Sequence, residues 1–384
     1  MNKRLIVALS VLLLVVLIAV SFFQKTSVDP IETDLPYVGV AFGGNTVEEA
    51  KAIIDRTRNY TNLFILQSGP IIIDNQSATT EICNYATASG LSIIVYFNDF
   101  DPNILAQRNL TWRLGWVDNA KTNYGDKFLG IYYYDERGGI YLDTNKTATG
   151  WRLPNNATYD TAASVFERGF LEDPGTVALK DMGVPIFCSD YALYWFDYRS
   201  GYDVVLAEVG WNNTLAQEIA LVRGAANFQN KDWGVIITWK NTQPPYLDSG
   251  DAIYDQMRTS YETGASYITI FNHPYTNSSY GIMDDEHFDA LERVWNDITQ
   301  GKITRSPAVN SVLILPKNYG FGMRSAGDTI WGFWGPDQYT SIIWDKTQLL
   351  LNRYGYSLDI AYDDGSYALP RNYVNVFHWN STIT

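Results

Sequence analysis

The sequence predicts a closed (β/α)8 barrel, the TIM-barrel fold, at residues 36–300 of a 384-residue chain. Short runs rich in β-branched residues alternate with longer amphipathic runs, which is typical of parallel strands joined by crossover helices. Eight such units follow one another, and this number favours a closed barrel over an open doubly wound sheet. The sequence also lacks the glycine-rich dinucleotide fingerprint that many open sheets carry.

The sequence indicates where individual helices begin and end and where the eight strands lie. The first predicted helix starts at Thr46, where Glu49 completes a capping box. Gly264 ends the helix that follows the seventh strand. The predicted strands are YVGVAF (37–42), NLFILQ (62–67), LSIIVYF (91–97), FLGIYYY (128–134), VPIFCS (184–189), DVVLAEV (203–209), WGVIITW (233–239) and YITIFN (267–272).

The two ends of the chain differ in composition and in secondary-structure pattern from the predicted barrel. Residues 301–384 predict a small α/β domain that packs on the barrel, with strands at 311–316 and 357–364 and a helix at 341–355. Residues 1–24 contain 19 uncharged, apolar or small residues, close to the about 20 that span a bilayer. We therefore predict a signal anchor and a linker at 25–35. Lys3 and Arg4 place the remainder outside the cell membrane, as a single-pass protein, or as a secreted one if the anchor is cleaved.

Composition and charge narrow the class of partner. The net charge is −14 with no basic cluster, which argues against nucleic acid and anionic lipid headgroups. Three scattered histidines predict no metal site, and no cofactor motif occurs. Cys83 and Cys188 could form a disulfide in an oxidising compartment, but two cysteines are too few to define a disulfide framework. Eight sequons predict possible N-glycans on an extracellular surface, at Asn59, Asn75, Asn109, Asn145, Asn156, Asn212, Asn277 and Asn380.

Carboxylates gather where the predicted strands end, which is where barrel enzymes place their chemistry. The stretch GIYYYDERGG, residues 130–139, closes the fourth strand. Strand alternation sends Leu129, Ile131 and Tyr133 towards the helices, and Gly130, Tyr132, Tyr134 and Glu136 towards the barrel axis. On this pattern Glu136 enters the mouth and Asp135 points aside, towards Arg137.

Hydrolysis of a glycosidic bond needs two carboxyl groups, one as acid and one as nucleophile or base. We predict Glu136 as the acid and Glu208 as its partner, with Asp135 as a further catalytic candidate. The predicted substrate is a carbohydrate, because tryptophan and tyrosine offer flat apolar faces with a polar tip. The predicted substrate-binding residues are Tyr134, Asp99, Asp190, Trp211, Trp239, Lys240 and His273.

Other interpretations of these residues remain open. A strand-end acid can simply cap a helix or pair with an arginine. The same fold without catalysis would bind glycans or build a cell-surface layer, and the absence of an acid after the seventh strand until Asp248 favours it. A third hypothesis, a Schiff-base lyase, requires Lys240 in the mouth with apolar neighbours.

The strand end GIYYYDE, followed by two glycines, resembles the fourth strand of TIM-barrel glycoside hydrolases. That resemblance implies an acid/base role for Glu136. In the chitinase-type families the matching run is D-x-x-D-x-D-x-E, but its three aspartates are Leu129, Tyr132 and Tyr134 here. The region after the barrel resembles the appendage of some beta-galactosidase-like families, and one anchor with many sequons resembles archaeal cell-surface proteins.

Overall fold

The computed structural model describes residues 35–146, 152–211, 214–274, 278, 280–306, 309–370 and 373–382. Eight parallel strands form a closed barrel in sequential order, and the last strand pairs with the first. The predicted fold class is therefore confirmed for the barrel. Its strands are β1 (Tyr37–Phe42), β2 (Leu63–Leu66), β3 (Ser92–Tyr96), β4 (Phe128–Tyr132), β5 (Ile186–Asp190), β6 (Val204–Val209), β7 (Asp232–Ile237) and β8 (Tyr267–Asn272).

Helices follow the strands and cover the outside of the barrel. Thr46 and Glu49 form the predicted capping box at the start of the first helix. Gly264 has a φ of 105°, a conformation that favours glycine at a helix end. The helices are α1 (Val47–Thr57), α2 (Pro70–Ile73), α3 (Gln76–Ala88), α4 (Pro102–Gln107), α5 (Trp112–Tyr124), α6 (Arg137–Asp143), α7 (Tyr159–Leu171), α8 (Pro174–Asp181), α9 (Tyr194–Ser200), α10 (Leu215–Gln229), α11 (Gly250–Glu262) and α12 (Asp285–Thr299).

The barrel has two apolar layers, one inside the strands and one between strands and helices. Tyr132 belongs to the inner layer, whereas Ile131 and Tyr133 pack with the helices, as alternation predicts. Leu129 is an exception, because it packs against the inner layer. A register shift between β3 and β4 occurs at this level, and Gly130 adopts a φ of 153°. The irregularity reverses the face that a regular strand would give Leu129.

A second, three-stranded parallel sheet follows the barrel. It consists of β9 (Ser311–Leu315), β10 (Leu358–Tyr362) and β11 (Asn375–His378), in the order β10-β9-β11, with α13 (Thr340–Tyr354) between β9 and β10. α10 packs directly on β10, where a Cβ on Gly224 would lie 2.2 Å from the carbonyl oxygen of Ile360. Pro36–Thr384 form one compact unit, so the sheet and the barrel share a core.

The predicted membrane anchor at residues 1–24 lies outside the described residues. Within the part of the chain that the structure describes, none of the helices combines the length and apolarity required to cross a bilayer.

Candidate active site

The β4 strand ends two residues earlier than the sequence pattern predicts. Tyr134 and Glu136 both have positive φ values, 58° and 50°, so the chain turns out of the extended conformation immediately after Tyr133. Alternation therefore no longer determines where these side chains point. Tyr134 leaves the barrel axis for the surface, where its ring packs on Phe170. Positive φ in such bulky residues is uncommon and is found where surrounding contacts impose it.

Asp135 turns towards the barrel axis rather than towards Arg137. Its carboxylate accepts a short hydrogen bond from the Tyr132 hydroxyl and further ones from Ser189 Oγ at 3.2 Å and Gln67 Nε2 at 3.4 Å. Arg137 instead donates to Ser200 and to the carbonyl of Phe166. The prediction that Asp135 and Arg137 pair is therefore wrong, because the turn exchanges the directions of the two adjacent acids.

Glu136 and Glu208 meet at the mouth of the barrel, where their carboxyl groups interact with each other. The Ser189 hydroxyl lies 2.7 Å from Glu208 Oε1, so the same serine contacts Glu208 and Asp135. Glu208 is 5% exposed, while Glu136 is partly open to solvent. Within the described residues, neither of the two glutamates takes part in an ion pair. Three carboxyl groups from β4 and β6 thus converge around one serine.

Burial and mutual repulsion make these carboxyl groups weak acids. Burial, with the charges of Asp135 and Asp190 beside it, raises the pKa of Glu136 to about 7. Burial and the neighbouring Glu136 and Asp135 raise the pKa of Glu208 well above its ordinary value. Burial also raises the pKa of Asp135, against the effect of the hydrogen bonds it accepts. The Glu136–Glu208 pair therefore retains a proton at neutral pH, which is the property that a general acid needs.

Asp190 has a different role from the substrate contact predicted for it. It is fully buried and accepts hydrogen bonds from the backbone N–H groups of Gly138, Gly139, Tyr191 and Ala192. Asp190 therefore caps the first turn of α6 and holds the segment that begins at Glu136. The Gly-Gly pair serves this contact, because a Cβ on Gly138 would lie 2.5 Å from the Ala192 carbonyl oxygen.

A second carboxyl group stands behind Asp190. Asp197 on α9 is fully buried, and its carboxyl group lies close enough to that of Asp190 for the two charges to repel each other. Among the described residues, neither of its carboxyl oxygens has a hydrogen-bond partner. Burial and the charge of Asp190 raise the pKa of Asp197 well above its ordinary range. A protonated Asp197 therefore supports an Asp190 carboxylate, which faces the backbone donors of α6.

The aromatic residues predicted at the ends of β6, β7 and β8 come together. Trp211 and Trp239 have ring centroids 6.3 Å apart, and His273 lies 5.7 Å from Trp239. Trp211 is 40% exposed, so a flat apolar face is available at this side of the mouth. Burial lowers the pKa of His273, which favours the neutral imidazole.

Lys240 and Asp99 lie at the margins of this arrangement. Lys240 is exposed, and its Nζ lies 3.7 Å from an oxygen of Asp248. A Schiff-base lysine needs apolar neighbours inside the mouth, whereas Lys240 lies at the surface beside an acid. Asp99 accepts the backbone N–H of Asp101 and lies 3.8 Å from Arg108, so the structure gives it a role in its own loop.

The sequence did not single out Ser189, Gln67 or Asp197. Ser189 is the penultimate residue of β5, and Gln67 directly follows β2, so both occupy strand ends where polar side chains of a barrel reach the mouth. Inspection of every strand end for polar residues, rather than for acids alone, would have found them. Asp197 gives no such signal, because it lies inside a short helix.

Metal and cysteine chemistry receive no support from the described residues. None of their histidines, cysteines and acids form a group of three or more that could hold a metal ion. Cys83 and Cys188 are both buried and free, and burial raises the pKa of each thiol.

Solved structures with the same architecture include carbohydrate-active enzymes. The chain is similar to GH5_18 from Streptomyces cattleya in complex with GlcNAc, at 11% identity and a TM-score of 0.53, covering 89% of this chain and 99% of that one. It is also similar to alpha-L-fucosidase isoenzyme 2 from Paenibacillus thiaminolyticus, at 12% identity and a TM-score of 0.52, covering 85% of this chain and 58% of that one. No family model and no curated protein matches the chain. At these identities the likeness shows a shared barrel fold.

Proposed function

We propose that this protein is a glycoside hydrolase that cleaves a polysaccharide or surface glycan by carboxyl acid/base chemistry. The observation that carries the proposal is the meeting of Glu136, after β4, with Glu208, at the end of β6, beside Asp135, which shares Ser189 with Glu208. Glycoside hydrolysis requires two carboxyl groups, one that is protonated at neutral pH because its pKa is raised and one that is ionised. The exposed Trp211 face beside the pair suits a sugar ring.

The exposure and hydrogen bonding of the three acids assign each of them a different role in the reaction. Glu136 is the more exposed of the pair, and its pKa of about 7 lets it deliver a proton to the leaving glycosidic oxygen. The negative charge that this transfer leaves on the Glu136–Glu208 pair stabilises the positive charge that develops on the sugar ring. Asp135, which accepts a hydrogen bond from Tyr132, adds negative charge next to the Glu136–Glu208 pair. Water then adds to the anomeric carbon, and its released proton returns to the carboxyl pair.

A non-catalytic glycan-binding or cell-surface protein is the second candidate. The observation that favours it is the burial of Glu208, which is only 5% exposed and therefore offers little surface to a substrate. In this alternative the acids hydrogen-bond sugar hydroxyls, and the barrel is retained for binding.

We propose an extracellular, membrane-anchored location for the domain. The apolar stretch of residues 1–24 supports an anchor, with secretion as the result if it is cleaved. Six of the sequon asparagines lie in the described part of the chain, and all are exposed to solvent, as N-glycosylation requires: Asn59, Asn75, Asn109, Asn145, Asn156 and Asn380. Asn212 and Asn277 lie outside the described residues.

The test of catalysis uses residues 28–384 on a panel of polysaccharides and glycans, with new reducing ends counted by chromatography. Glu136→Gln and Glu208→Gln run in parallel because both keep the shape of the side chain. Asp126→Asn is the matched control, since Asp126 is an exposed acid just before β4, at the opposite end of the strand. We expect reducing ends from the parent and the control, and a loss of about 100-fold or more in both glutamine variants.

Two outcomes would count against the proposal. Equal activity in Glu136→Gln and the parent would remove Glu136 from the chemistry. If no reducing ends form but one glycan of the panel is retained on immobilised protein, the fold is a binding module.

A further inference from the structure

A cavity lies next to Asp135, between residues of α6 and α7. Its volume is about 520 Å³, within the roughly 300–1,000 Å³ of small-molecule sites. Asp135 forms part of its wall, so the cavity opens beside the proposed catalytic centre. Phe333, from the segment between β9 and β10, closes the outer side.

Aromatic and aliphatic side chains line most of this cavity. Tyr134 is 36% exposed and Ile140 is 45% exposed, although both are large and apolar. Phe166 and Tyr141 form the inner wall, with ring centroids 5.0 Å apart. Faces of this kind bury the C–H surface of a sugar ring, whereas a purely polar ligand would leave them in water.

Two arginines give the same cavity a positive side. The Arg137 guanidinium lies 3.8 Å from the centre of the Phe166 ring, and two of its five N–H groups donate to Ser200 and to the Phe166 carbonyl. These contacts fix its plane and leave donors for a ligand. Arg152 is exposed, and no described residue accepts a hydrogen bond from it. Two guanidinium groups that line one cavity, in a chain of net charge −14, favour an anionic ligand there.

We propose that this cavity is a subsite for a uronic acid residue of the glycan, adjacent to the sugar whose bond is cleaved. The aromatic walls take the ring, and Arg137 and Arg152 take the carboxylate, whose planar shape matches a guanidinium fork. The position of the subsite next to the scissile bond rests on the proposed function. The preference for an acidic sugar does not, because it follows from the lining of the cavity.

Binding, measured apart from catalysis, tests this inference. Oligogalacturonates and hyaluronan oligosaccharides are titrated into residues 28–384 by calorimetry, each beside its carboxyl-reduced counterpart of equal length. We expect at least one acidic oligosaccharide to bind about tenfold more tightly than its reduced counterpart. The second comparison is an oligosaccharide without carboxylates that carries sulfate groups and has the same total charge as the acidic one.

Three variants separate charge from space. Arg152→Gln should remove the preference for the acidic oligosaccharide and leave the reduced one unchanged. Gly169→Leu should weaken both, because Gly169 lines the cavity and its added Cβ would meet only Arg137, at 3.7 Å, so the larger side chain enters the space. Arg168→Gln is the control, since Arg168 is an exposed arginine on the same helix and does not line the cavity.

The outcomes distinguish this inference from the proposed function. Equal or absent binding of all acidic and reduced oligosaccharides would overturn the subsite, even if neutral glycans were cleaved. Tighter binding of the sulfated oligosaccharide would overturn the assignment of a carboxylate. A preference for uronic acid that Arg152→Gln removes would support the subsite, even if the parent released no reducing ends.

Discussion

Glu136→Gln should change stability in a way that depends on pH. The pKa of Glu136 is raised from 4.5 to about 7 by burial and by the charges of Asp135 and Asp190, so the folded protein binds this proton more tightly than the unfolded chain does. The free energy of unfolding of the parent therefore falls as pH rises from about 4.5 to about 7 and levels off above. Glutamine has no proton to lose, and its amide oxygen can still accept a hydrogen bond from Glu208.

The size of the effect follows from that shift. A change from 4.5 to about 7 corresponds to about 3 kcal/mol at roughly 1.4 kcal/mol per pH unit. Glu136 is partly exposed, so solvent screening reduces the expected difference to about 1–2 kcal/mol. We therefore compare the free energy of unfolding of the variant with that of the parent at each pH. Between pH 4.5 and pH 8, this difference should shift by about 1–2 kcal/mol in favour of the variant.

Urea denaturation followed by tryptophan fluorescence, at intervals between pH 4.5 and 8, measures this difference. Asp126→Asn is the control, because it removes an exposed acid at the opposite end of β4, away from the carboxyl pair. A difference between Glu136→Gln and the parent that stays constant across the range would refute the reasoning. It would mean that burial and the neighbouring acids do not disfavour the ionised Glu136.

Three further predictions concern the start of α6, the second sheet and the mouth of the barrel. Gly138→Ala should lower glycan turnover by about tenfold or more, because its Cβ would lie 2.5 Å from the Ala192 carbonyl oxygen and displace α6; initial rates measure it. Asp359→Ala should destabilise the fold by about 3–5 kcal/mol in urea titrations, since it leaves Arg223, 2% exposed and 2.7 Å away, as an unpaired buried charge. Trp211→Ala should weaken glycan binding by about fivefold to tenfold in calorimetry, with the circular dichroism spectrum unchanged.

Each of these three results has a clear contradiction. Full turnover in Gly138→Ala would show that the close packing of α6 does not position the carboxyl pair. A loss of less than about 1 kcal/mol in Asp359→Ala, no larger than for the exposed Arg258–Glu262 pair, would show that water reaches the buried arginine. Unchanged affinity in Trp211→Ala would place the sugar elsewhere in the mouth.

The barrel and the position of its acids could be predicted from the sequence because both depend on local pattern. Strand and helix periods, and the turn residues between them, specify eight βα units. Once the barrel is known, Glu136 and Glu208 must lie at its carboxyl-terminal face, since Glu208 is at the end of β6 and Glu136 is in the turn after β4. The aromatic residues Trp211 and Trp239 follow by the same rule.

The sequence could not give the direction of each side chain after β4. Positive φ at Tyr134 and Glu136 breaks alternation, and no local pattern marks those two residues for that conformation. The bulge at Gly130 likewise moved Leu129 into the barrel. The prediction for Arg137 failed for the same reason, because the turn sets the direction of its side chain.

The sequence by itself determined the barrel and the set of strand-end residues, because periodicity and strand position are properties of neighbouring residues. Only the tertiary structure decided which of those residues meet. Glu208 contacts Glu136 from another strand, Asp190 reaches back 52 residues to the Gly138 N–H, and Phe333 closes a cavity against α6. Such contacts exist only once the barrel has closed and the second sheet has packed on it, so no local segment encodes them.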